Sequence, residues 1–67
     1  MFYKYLGKKY IDTRTGYVLE MFKASGHKNK KMYLVHTKRR RGKKIIKREW
    51  VYESTISKLI NFLEDIK

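Results

Sequence analysis

Between Lys38 and Lys44 six of seven side chains are cationic, and only Gly42 interrupts them. Lys28, Lys30 and Lys31 form a second group upstream, and Lys47 and Arg48 extend the field downstream. Cations at this density suit anionic oxygens, and a row of them displaces the counterions from a run of phosphates. A merely solvated coat would need acidic partners in comparable number. The 67 residues hold 18 Lys and Arg against six Asp and Glu, a formal charge of +12. The excess lies in residues 1–52, whose 16 basic side chains face only Asp12, Glu20 and Glu49. Residues 53–67 carry Lys58 and Lys67 against Glu53, Glu64 and Asp65. A domain so charged repels itself unless an anionic partner relieves the field.

The second chemical resource is aromatic. Six Tyr, three Phe and one Trp are more than a core this small can hide. An exposed ring beside a cation can stack on a base or wedge between base pairs. Trp50 shares a strand face with Lys44 and Arg48, which favours exposure. As the largest side chain present it also suits the centre of a core, where large aromatics usually lie. Tyr33 and Tyr52 are open to the same two readings. Phe22, Leu34, Val35, Leu59 and Leu63 are expected in the core.

Other chemistry finds little support. No Cys is present, which removes disulfides and Cys-based zinc sites, and His27 and His36 alone do not form a convincing metal site. His27 follows Gly26 in a basic loop and loosely resembles the arrangement in small ribonuclease toxins of the HicA type. Those toxins begin with a helix, whereas this chain begins with aromatic, β-prone sequence, and spacing places no second acid, base or nucleophile. The Gly residues are scattered at 7, 16, 26 and 42, so no phosphate-cradling loop and no cofactor is expected. The chain reads as non-enzymatic. It lacks the run of roughly 18 apolar residues needed to span a bilayer and a signal-peptide core. Its one amphipathic segment is acidic, which disfavours membrane binding. The expectation is a cytoplasmic protein, nucleoid-associated if chromosomal. Absent Gln, scarce Asn and abundant Lys and Ile lean towards a thermophile.

These side chains must be positioned by a single domain spanning residues 1–67, with strands over about 2–52 and a helix over about 54–66. Asp12-Thr13-Arg14-Thr15-Gly16 reads as a turn. Ser25 to Lys30 reads as a longer loop, and Arg39-Arg40-Arg41-Gly42 as a basic turn. Between them Tyr17–Lys23, Lys31–Lys38 and Lys43–Tyr52 are β-prone, with a weaker strand near Lys8–Asp12. In the last strand Lys44, Ile46, Arg48, Trp50 and Tyr52 alternate with Ile45, Lys47, Glu49 and Val51. Ile56, Leu59, Ile60, Leu63 and Ile66 then recur at helical spacing, with Ser54 or Thr55 able to cap. The expected fold is mostly β with a C-terminal helix. It is either a small SH3-like barrel of four to five antiparallel strands or an open antiparallel sheet with one helix packed on a face.

Small size, high Lys content, absence of Cys, strand-then-helix order and a single Trp on a basic strand resemble the seven-kilodalton chromatin proteins of Sulfolobus. The resemblance implies an SH3-like barrel whose triple-stranded sheet lies on the minor groove of duplex DNA. It suggests a wedging role for Trp50, with Met32 or Tyr33 as companions. The basic run at Arg39–Arg41 departs from that family and suits a loop gripping RNA or phosphate. The reading is a largely sequence-nonspecific DNA-binding protein, chromatin-like or a viral regulator, with duplex DNA favoured over RNA. Its contacts would be Lys28, Lys30, Lys31, Arg39, Arg40, Arg41, Lys43, Lys44 and Arg48, with Trp50 and Tyr33 at the bases. The alternatives are an RNA-binding protein, or a module docking on an acidic surface of polymerase or ribosome.

Overall fold

A computed structural model describes residues 2–42 and 44–66. Its strands are β1 (Lys9–Asp12), β2 (Val18–His27), β3 (Lys30–Lys38), β4 (Ile45–Tyr52) and β5 (Leu63–Asp65). They form one antiparallel sheet in the order β4-β3-β2-β1-β5. Because β4 and β5 are both edges, the sheet stays open. This is the second of the two expected architectures and not the closed barrel.

The turns follow from local chemistry. Asp12 is buried, and its Oδ1 accepts the Arg14 backbone N–H at 2.9 Å. The Arg14 guanidinium donates to both carboxylate oxygens, 3.2 Å each, and holds the carboxyl below its ordinary pKa. Gly16 closes this turn at φ 79°, where a side chain would be strained. The expected loop at Ser25–Lys30 is instead a tight hairpin. β2 runs on to His27, and only Lys28 and Asn29 turn, at φ 48° and 66°. Two central residues with positive φ match the twist of the flanking strands, so pairing continues to the tip.

One face of the sheet carries the core of Tyr5, Tyr10, Met21, Tyr33, Val35 and Ile56. Strand alternation supplies Tyr33 and Val35 from β3, and helix α1 (Glu53–Leu59) supplies Ile56. The N-terminal aromatic segment is not a strand. It turns at residues 4–7 and lays Tyr3 and Tyr5 edge-on against Tyr33, with centroids 6.1 and 5.7 Å apart. The Tyr33 hydroxyl accepts the Tyr5 backbone N–H at 3.2 Å and donates to Glu53 Oε2 at 2.7 Å. Tyr5 Oη meets Ser57 Oγ at 3.0 Å, so the N-terminal segment is joined to the helix as well.

The expected helix over 54–66 is about half that length. It ends at Leu59, a 3-10 turn covers Ile60–Phe62, and β5 pairs with β1. A short helix gains little from its own hydrogen bonds, whereas the edge of β1 offers a row of unpaired backbone groups. The last residues take that edge, and the Phe62 carbonyl accepts both the backbone N–H and the hydroxyl of Thr13. Neither Ser54 nor Thr55 caps the helix. Tyr52 occupies the N-cap without a side-chain bond, and Glu53 places its charge in the first turn, where the helix dipole favours it.

Two outcomes follow. Ile56→Ala should destabilise the protein by about 2–5 kcal/mol, whereas Ile60→Ala, exposed beyond the helix end, should cost under about 0.5 kcal/mol in thermal or denaturant unfolding. Equal losses would mean that the helical stripe continues past Leu59. Burial pushes the Tyr33 pKa up to about 12, and the Glu53 carboxylate adds to the rise. A raised pKa in the folded state gives stability that is intact below the ordinary tyrosine value of about 10 and is lost as pH rises through the folded value. The margin of the wild type over Tyr33→Phe should therefore stay constant up to about pH 9 and shrink between about pH 10 and 12. A margin flat to pH 12 would show that this hydroxyl does not titrate on unfolding.

Candidate functional site

Among the described residues, no element packs over the face opposite the helix. β2, β3 and β4 meet there in cross-strand rungs set by register. Ser25, Met32 and Tyr52 form one rung, Lys23, Leu34 and Trp50 the next, and Glu20, His36 and Arg48 the third. Trp50 is 46% exposed, which decides between its two readings: it lies on the open face and not in the core. Tyr52, two residues along the same strand, is 40% exposed.

Phe22 was expected in the core, but it is 48% exposed. The cause is a bulge in β2. Met21 pairs with Val35 and Lys23 with Leu34, so Phe22 has no partner of its own. A bulge re-aims a side chain. Here it puts Phe22 and Lys23 side by side on the open face. The Phe22 ring stacks on His36, with centroids 4.4 Å apart and planes 21° from parallel, and His36 is buried beneath it. A second bulge leaves Ile46 unpaired and exposed, since Thr37 pairs with Lys47 and Lys38 with Ile45.

Cations surround these rings. Lys23 Nζ lies 5.7 Å from the Phe22 centroid and Lys30 Nζ 5.3 Å from that of Tyr52. Arg48 shares the face of Trp50. At the far end Glu20 accepts a 2.7 Å bond from Lys38 and faces Lys9 at 3.8 Å. The Lys38 bond, more than the neighbouring charge of Lys9, lowers the Glu20 pKa. Arg39 and Arg40 line a shallow recess with Lys9, Glu20 and Lys38, which brings the basic turn to this end of the face. At the other end Ser25, Gly26, His27, Met32, Trp50 and Tyr52 line a second recess.

The candidate contacts therefore divide. Lys30, Arg48 and Trp50 lie on the open face. Lys28 is at the exposed hairpin tip, Arg39, Arg40 and Arg41 are exposed in the β3–β4 connection, and Lys44 is exposed just before β4. Lys43 falls outside the described residues. Lys31 belongs to the helix side, 4.0 Å from Glu53. Tyr33 is 0% exposed, and its place as a base contact is withdrawn, because strand alternation turns it into the core. Among the described residues, Lys23, Lys28, Lys30, Arg39, Arg40, Arg41, Lys44 and Arg48 form no ion pair. Also among the described residues, no group of three or more His, Asp or Glu is placed to hold a metal, and no helix is long and apolar enough to cross a membrane.

Sequence reasoning missed Phe22, Lys23 and the support given by His36. Tyr52, left open between core and face, was not among the expected contacts either, although its alternation with Arg48 and Trp50 is the signal that places it. Phe22 was not legible, because an apolar residue in a β-prone run reads as core unless the bulge is known. No family model, no curated protein and no solved structure matches this chain.

Replacing Arg39, Arg40 and Arg41 together with Ala should leave the melting temperature nearly unchanged, since all three are exposed. It should weaken polyanion binding and make the salt slope shallower by up to about one unit per lost phosphate contact. Wild-type affinity and slope in the folded triple variant would reduce this turn to a solubilising cluster.

Proposed function

We propose that this chain binds nucleic acid, DNA foremost, without an enzymatic step and with little dependence on base sequence. One observation carries the reading. Three exposed rings, Phe22, Trp50 and Tyr52, share a sheet face that the helix leaves open; unpaired cations lie at Phe22 and Tyr52, and Arg48 is two residues from Trp50 on the same strand face. A sheet face facing water is ordinarily polar, and clustered exposed rings mark an interaction surface. Cations among them point to a ligand that is both flat and anionic, and nucleic acid has both properties.

The chemistry of the face also supports tolerance of sequence. Rings stack on any base, and Lys or Arg at phosphates carry no base information. A chromatin-like or regulatory role, nucleoid-associated inside a cell, agrees with that tolerance. RNA offers the same two chemistries and is the second reading, with the exposed Arg39–Arg41 turn as the feature in its favour.

Contacts to about four to six phosphates should give a slope of log K against log salt of about −3 to −5, with mixed-sequence oligonucleotides differing by no more than about threefold. Fluorescence titration across salt concentrations, with no protein partner present, measures both quantities. Absence of binding to any nucleic acid at low salt would overturn the proposal and favour docking on an acidic protein surface.

A further inference from the structure

The arrangement of the rings deepens this reading by separating paired from unpaired nucleic acid. Trp50 and Tyr52 are two residues apart on one strand, so their attachment points stand about 6.6–6.8 Å apart. Neighbouring bases of a duplex strand are stacked about 3.4 Å apart. Two successive bases can each meet one of these rings only if the strand is drawn out to about twice its stacked spacing. A paired base shows the groove an edge and not a face.

Phe22 points the same way. A wedge must stand up from the surface with both faces bare to enter between base pairs. Phe22 instead lies against His36, planes 21° from parallel, so one face is already covered. What remains exposed is the surface of a platform, with a buried ring as its foundation. β2 and β4 are separated by β3, so this platform is about 10 Å from the line of Trp50 and Tyr52. Two of the rings have a cation at hand, Lys23 at Phe22 and Lys30 at Tyr52, and Arg48 occupies the rung next to Trp50 on the same strand face. A ring with a cation is the complement of a base with its phosphate.

We infer that the open face takes an unpaired nucleic-acid strand of about three nucleotides, one base to each ring and a phosphate at the cation beside it. His36 is a positioning residue that holds Phe22 flat. The inference rests on the nucleic-acid reading above and reverses the duplex preference expected from sequence.

The test compares a labelled oligothymidylate, an oligouridylate and a blunt DNA duplex, each of about 12 nucleotides per strand, by fluorescence anisotropy at one salt concentration. The single strands should bind at least about tenfold more tightly than the duplex and should change the Trp50 emission. Comparing the two single strands decides whether DNA or RNA is preferred. Phe22→Ala and Trp50→Ala should each weaken single-strand binding about 5- to 150-fold, with duplex binding altered less than about twofold. Phe22→Tyr and Trp50→Phe should restore most of the loss. Both replaced side chains are exposed, and melting curves check that the variants remain folded. Duplex binding equal to or tighter than single-strand binding would overturn this inference and leave the function intact. Equal losses on both ligands in the ring variants would overturn it too. No binding to any of the three would overturn both.

Discussion

The Tyr33 hydroxyl is the point on which the two faces of this protein depend. It lies in a fully buried side chain, accepts a backbone N–H from the N-terminal turn and donates to the carboxylate that opens the helix. Three segments distant in sequence converge on one oxygen. A buried hydroxyl without partners would cost more than the hydrogen bonds contribute, so sheet, N-terminal turn and helix are satisfied together or not at all. With these groups gathered on one side, nothing in the described chain is left to cover the other.

That asymmetry allows a protein of charge +12 to keep a defined surface. The acidic side chains are not spread evenly among the basic ones. Asp12 is committed to Arg14, Glu53 to Tyr33 and Lys31, Glu20 to Lys38 and Lys9, and Glu49 to Lys47. The hairpin tip, the middle of the open face and the Arg39–Arg41 turn are left with unpaired cations. The acids are used where the fold needs them, and the remaining charge is concentrated where an anion can reach it. A polyanion on that face would relieve the repulsion that opposes folding.

Much of the architecture was legible in the sequence. The period-two pattern of Arg48, Trp50 and Tyr52 against Lys47, Glu49 and Val51 assigns the faces of β4 correctly, and the turn at Asp12–Gly16 forms as read. Three features were not legible, each for a physical reason. The Lys28-Asn29 turn has no Gly to signal its positive φ, so a tight hairpin read as a loop. The helical period of Ile56, Leu59, Ile60 and Leu63 persists beyond the helix, because the free edge of β1 competes for the last residues. Phe22 left its expected place in the core, because alternation assigns a face only when the register is unbroken, and a bulge breaks it without a mark in the residue types.

The bulge at Phe22 has a further consequence. Take Phe22 out of β2 and the strand closes on itself without disturbance. Glu20 and Lys23 remain on the open side, Met21 and Ala24 remain on the helix side, and every pair with β3 is kept. The residue is supernumerary to the sheet. Loss of a single codon there would subtract one ring from the outer surface and uncover His36, while the core on the helix side keeps all its residues. Phe22 is thus a position at which the outer surface can be altered without changing the pairing of the strands.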